Sequence, residues 1–242
     1  MPDSLEELGK LIPKETIGKL YDDALAGPAR EVGKVGTDTI KVARLLLAPL
    51  QIAAAFQDRF EKMIERIRSR VPEGNRTDAP PELVGPALER MRYIGDQCEL
   101  WKMYEEVLTK AVDKDHTDRI HPSFAYIISQ LSRDEAWMLY RLRDRSFAVI
   151  DTMDLIGKRF ENRVVEHTEL PLSELLLPGQ VNLHYAHLES LGLVIWPVLK
   201  QDPIISDGKQ TGIRRHSIME LAEFGRLFVE SCIPSGGFEG MQ

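Results

Sequence analysis

A helix-start signal recurs along this chain and dictates much of its architecture: a Ser or Asp stands three residues ahead of a Glu, and apolar side chains follow at three-and-four spacing. Such a pair satisfies two backbone N–H groups that a new helix leaves without an intrahelical acceptor. Ser4 with Glu7, Asp96 with Glu99 and Ser132 with Glu135 carry it, the last most cleanly. One apolar stripe is formed by Ile17, Leu20, Tyr21, Ala24 and Leu25, and another by Leu100, Met103, Tyr104, Val107 and Leu108. Ala136, Leu139, Tyr140 and Leu142 make a further one. Each is one face of a helix that must be buried, so the spacing predicts a mainly α chain of packed helices.

The run from Val42 to Phe56 differs from these stripes. Leu45, Leu46, Leu47, Leu50, Ile52 and Phe56 lie in an almost uncharged stretch with Pro49 near its middle. A membrane-spanning helix needs about 20 consecutive apolar residues, and this run is shorter and begins beside Lys41 and Arg44. It is expected to be covered in a core or a subunit contact. Peripheral contact with a membrane, helped by the basic side chains between Arg59 and Arg70, is the minority alternative.

Between Pro72 and Pro86 stand four prolines and two glycines among mostly polar neighbours, the pattern of a linker or hinge. This divides the chain into a helical amino-terminal arm over 1–75, a helical body over 76–165, a carboxy-terminal module over 166–234 and a flexible tail over 235–242. In the third part, Leu172 to Leu177 and Gln180 to Ser190 read as two short helices around a Pro178-Gly179 turn. Gly192 supplies a left-handed cap, Leu193 to Ile195 starts a strand, Asp207-Gly208 marks a hairpin tip, and Leu221 to Val229 closes with a helix. Helix, helix, hairpin, helix is the order of a winged-helix-like α+β module. Gln180, Asn182, His184 and His187 on its second helix, with Lys209, Arg214 and Arg215 on its wing, are the candidate binding residues. Only Gln180 and Asn182 suit base edges, so a packing or protein-binding role is preferred and contact with nucleic acid is the rival.

The net charge of −7 among 242 residues opposes nonspecific adhesion to nucleic acid or anionic lipid. The two cysteines, Cys98 and Cys232, have no metal-ligand spacing and fit a reducing compartment. No basic segment followed by an apolar run opens the chain, so a cytoplasmic protein is expected, with membrane association only on activation. Phosphate-binding glycine loops, nucleophile elbows and zinc-protease helices are absent from the sequence. His116 and His121 near Asp113, Asp115 and Asp118 match no common metal spacing and suit a polar interhelix loop. No catalytic residue, metal, cofactor or small-molecule substrate is therefore expected, and the reading leans away from an enzyme.

Several segments, in order, give the chain a family likeness. They are Ile12-Pro13-Lys14-Glu15, Tyr21-Asp22-Asp23-Ala24-Leu25, Pro28 to Lys34, and Leu47-Ala48-Pro49-Leu50. Downstream follow Gly85 to Glu89 with Arg92-Tyr93, His121-Pro122-Ser123-Phe124, Gln130-Leu131-Ser132 with Asp134-Glu135-Ala136, then Leu191-Gly192-Leu193 and Phe224-Gly225. Together they resemble the Abi-alpha family of bacterial proteins, over nearly the whole chain. The resemblance implies abortive infection, in which a phage-infected bacterium stops growing or dies before progeny are released. It implies no reaction and no catalytic residues. The expectation is a phage-defence protein that works through association with a protein partner or itself, or through a conformational change, with membrane perturbation as a variant.

Overall fold

The computed structural model describes residues 56–238, and all but the first three of these belong to one compact unit beginning at Arg59. Leu45, Leu46, Leu47, Leu50, Ile52 and the Ser4–Glu7 pair lie outside the described residues. Phe56, half-buried, falls within them.

The helical layer contains α1 (described over 56–70), α2 (Pro81–Met91), α3 (Glu99–Ala111), α4 (Phe124–Ile128), α5 (Arg133–Asp144), α6 (Val181–Ser190) and α7 (Glu223–Cys232). α3 lies at its centre and packs against α2, α4, α5 and α7. Its Trp101, Met103, Tyr104 and Val107 are fully buried, and the Tyr104 hydroxyl donates to Ala125 O at 3.0 Å. Desolvation raises the Tyr104 pKa well above the ordinary phenol value. Several charged side chains of α3 are paired. Arg66 on α1 makes two 2.7 Å bonds to Glu105, and the buried Glu106 takes Arg70 at 2.6 Å and Lys110 at 3.0 Å.

Ser132 caps α5 as its sequence predicts: its hydroxyl accepts from Glu135 N at 3.2 Å, while Glu135 Oε2 accepts from Ser132 N at 2.7 Å. Asp96 caps nothing. α3 starts after Cys98 without a side-chain cap, and Glu99 instead binds Arg133 through two 2.5 Å bonds. The proline-rich stretch 72–80 is tied to the far end of α3 by a β-bridge between Arg76 and Asp113 and by Asn75 Nδ2 donating to Asp115 at 2.9 Å. At the other end of the unit, Phe238 is buried edge-on against the Tyr140 ring, 5.6 Å between centroids.

The expected mainly α chain with a winged-helix-like module is overturned by an antiparallel sheet of five strands. These are β1 (Phe147–Ile156), β2 (Arg159–Thr168), β3 (Val194–Ile195), β4 (Val198–Ser206) and β5 (Lys209–Leu221). β5 is thirteen residues long and central: it pairs with β1 on one side and with β4, then β3, on the other, while β2 pairs with β1. The β4–β5 hairpin does turn at Asp207-Gly208, both at positive φ. It is no wing, because its second strand lies inside a sheet. Leu172 to Leu177 makes only one 3-10 turn, Leu172–Glu174, so no helix-turn-helix forms. Among the described residues the architecture is α+β.

The strands β1 and β2, missed from sequence, follow from local chemistry. Gly157 at φ +64 opens a two-residue loop between Ile156 and Arg159, the geometry that closes a tight hairpin. Asn162 at φ +54 sits at a bulge and donates to Asp154 at 3.1 Å. Gly192, at φ +67, ends α6 in a Schellman cap: Leu193 N donates to Leu188 O at 3.1 Å and Gly192 N to Glu189 O at 3.0 Å.

Candidate functional site

α6 carries Asn182, His184 and His187 of the predicted binding residues, with Gln180 just before it, and it touches both α5 and β2. Its two inward faces carry different chemistry.

Toward α5, His184 and His187 stand one turn apart and meet Asp134 and Glu135 in the first turn of α5. Three of these four side chains are nearly sealed, His184 being 4% exposed. His187 Nδ1 donates to Glu135 Oε1 at 2.6 Å. His184 Nε2 lies 3.4 Å from Asp134 Oδ2 and its Nδ1 lies 3.9 Å from Glu135 Oε1, ion-pair distances without a hydrogen bond from Nε2. The two Asp134 oxygens accept from the backbone of Leu176 at 2.8 Å and Leu177 at 2.9 Å. The positive end of the α5 dipole favours both carboxylates. Helix cap, interhelix anchor and loop anchor are thus combined in two adjacent acids.

Toward the sheet, Asn182 Oδ1 accepts from Val165 N on β2 at 2.7 Å, and the Tyr185 hydroxyl shares a 2.8 Å hydrogen bond with Thr168. Burial pushes the Tyr185 phenol up to about 12, against the Thr168 bond and the Arg163 charge, which pull it down. Beneath them lies Asp151 on β1, 0% exposed. Directly across the ladder is Arg215, whose Nε donates to Asp151 Oδ1 at 2.7 Å. Arg163 on β2 completes the group: its Nε is 3.7 Å from Asp151 Oδ2, its Nη1 donates to Glu189 of α6 at 2.9 Å, and its guanidinium lies 3.8 Å above the Trp196 ring. Trp196 in turn meets Tyr185 edge-on at 4.7 Å. Four buried polar atoms of this face, Asp151 Oδ2, Arg163 Nη2, Trp196 Nε1 and Ser217 Oγ, make no hydrogen bond within the chain. The group ties α6 to β1, β2 and β5 through Arg163, Asp151 and Arg215.

The structure separates the other predicted residues. Gln180 is exposed at the start of α6 without a side-chain capping bond. Arg214, on the opposite face of β5 from Arg215, grips Glu166 through bonds of 2.9 and 3.1 Å. Lys209 is at the hairpin tip, roughly 17 Å along the strand from Arg214. Sequence reasoning missed Asp134 and Glu135 as anchors because a capping role already accounted for them. It missed Asp151 because the acid that follows the apolar run Phe147 to Ile150 was not weighed as a buried charge, although its place at the end of that run is the signal.

The His–carboxylate pairs have the composition of a proton-transfer unit, but they are consumed in holding α6. Among the described residues no group of three or more His, Cys, Asp or Glu is arranged to hold a metal ion, and no helix is long and apolar enough to cross a membrane. α6 turns outward Leu183, 61% exposed, with Ala186, Glu189 and Ser190, and Leu176 and Leu177 on the loop pinned by Asp134 are exposed as well. Comparison with curated proteins and with solved structures returns no match. A family profile described as abortive infection alpha does match, over residues 53–232. That span takes in α1 through α7, every strand and both clusters flanking α6, and the chain accordingly belongs to the abortive infection alpha family.

Proposed function

We propose that this protein serves abortive infection by binding another protein, without catalysis, through the apolar surface that α6 and the edge strands present. One observation carries the reading. Of the twelve large apolar side chains that stand exposed among the described residues, ten lie between Ile156 and Ile205. Exposed apolar side chains gathered in one stretch of the chain support a place of association there. The two buried clusters support this, because they hold α6 and the 176–177 loop in a fixed arrangement, and a preorganised surface loses less entropy on binding. The net charge of −7 weakly opposes close approach of a second identical chain and favours a partner of neutral or positive net charge. Arg214 and Arg215 are engaged by Glu166 and Asp151, and a phosphate would have to displace those carboxylates.

The test is a phage challenge of cells expressing the parent chain or Leu199→Glu, a change at a side chain 69% exposed on β4. The expected outcome is that the variant keeps its thermal midpoint and monomeric mass but no longer reduces phage yield. Undiminished protection by a folded Leu199→Glu variant overturns the reading. A parent that is dimeric by light scattering, and monomeric after the substitution, assigns the surface to self-association instead.

A further inference from the structure

The turn from α5 into β1, the end of β5 and one face of α7 enclose a cleft of about 250 Å³ that shares no residue with the clusters around α6. Its floor is apolar, made by the buried Leu142, Leu221 and Val229. Around the floor stand Arg145 and Arg226 with Glu220 and Glu230. None of these four is joined in an ion pair among the described residues, even though Arg226 and Glu230 are one helical turn apart on α7, where a favourable pair readily forms. Arg143 beside them is already engaged, donating to Pro234 O at 2.9 Å and to Asp144 at 3.2 Å. The Arg145 guanidinium is oriented by the Phe147 ring, 4.6 Å beneath it.

Two cations and two anions kept apart around an apolar floor are complementary to a molecule that itself carries one charge of each sign. Arginine forks suit a carboxylate, and glutamates suit an ammonium group. Size narrows the class further, since typical ligand pockets begin at about 300 Å³; the space here is that of about eight water molecules. We propose that this cleft binds a free aliphatic α-amino acid, its carboxylate at Arg145 and Arg226, its ammonium at Glu220 and Glu230, and its side chain on the Leu142–Leu221–Val229 floor. The site is separate from the apolar surface proposed for partner binding. Its occupancy is read directly by binding, so either proposal can fail without the other.

The experiment is a titration of the full chain, ¹⁵N-labelled, with L-leucine, followed by amide shifts at Ser146, Glu220 and Arg226. N-acetyl-leucine, leucinamide and inorganic phosphate, each lacking one of the two charges, are the comparison probes. Saturable shifts with leucine are expected, with binding weaker by about tenfold or more for every comparison probe. Arg226→Ala and Glu220→Gln should each weaken leucine by about the same factor, with the remaining amide spectrum unchanged as the record of folding. Absence of saturable shifts with leucine overturns the proposal. So does equal or tighter binding of a singly charged probe, which shows a plain ion contact. A folded Arg226→Ala variant that binds leucine as the parent does overturns it too.

Discussion

Replacing Arg215 by Ala isolates the buried charge on which α6 rests. Asp151 has no exposed surface, and its stronger contact is the 2.7 Å bond from Arg215; the other, from Arg163, is 3.7 Å long. Removing one partner of a buried pair costs about 3–5 kcal/mol, because the remaining charge stays out of water without compensation. Arg163 remains to share the load, so Arg215→Ala should fall near the lower end, about 3 kcal/mol. For a chain of this size each kcal/mol moves the thermal midpoint by roughly 2–4 °C, which gives a fall of roughly 6–12 °C. Urea unfolding followed by circular dichroism supplies the free energy, and a cycle of Asp151→Asn with Arg215→Met supplies the coupling. The double variant should recover most of the loss, since it leaves no unpaired buried carboxylate. An Arg215→Ala variant within about 0.5 kcal/mol of the parent, the range of an ordinary surface change, refutes the reasoning.

Gly225→Ala should be among the most damaging single changes in α7, because the added Cβ would lie 1.9 Å from Leu193 O, a backbone atom that cannot turn aside. A loss of about 3 kcal/mol or more is expected in urea unfolding, and a neutral result contradicts the close approach of α7 to the Leu193 backbone. Alkaline titration gives a separate check. Burial pushes the Tyr185 phenol up to about 12 from an ordinary value near 10, so its contribution to stability should be flat below pH 10 and fall between pH 10 and 12 as the unfolded chain sheds the proton first. The fall attributable to Tyr185 by pH 12 is about 2 kcal/mol, and Tyr185→Phe, followed by unfolding at both pH values, should flatten that part of the curve.

What the sequence showed and what it hid divide along physical lines. Helices with buried stripes were legible: α3 and α5 fall where the spacing of Met103, Val107, Ala136 and Leu139 places them, and the Ser132 cap needs only local partners. Gly192 and Asp207-Gly208 were legible for the same reason, since their positive φ is a local demand. β2 was not. As an edge strand with only one neighbour it leaves Phe160, Glu161, Asn162 and Glu166 exposed, and such a mixture looks like a polar connection until its partner is known. Missing β2 hid β1, and with both absent the β4–β5 hairpin resembled an isolated wing. The site suffered likewise. His184 and His187 were noticed as a pair, but their partners Asp134 and Glu135 are about fifty residues away, and no local pattern announces that meeting. The Phe224-Gly225 mark of the family likeness has a physical cause visible only in three dimensions, the crossing of Gly225 over Leu193.

Association through an apolar face and chemistry at the histidine pairs make opposite demands on two substitutions. Survival and phage yield should be measured side by side for His187→Gln and Leu183→Glu, at matched expression and with folding verified. Protection that persists in His187→Gln and disappears in Leu183→Glu is the outcome of an exposed docking surface. Protection lost with the histidine and kept without the leucine contradicts it and makes the buried histidines the working part of the molecule.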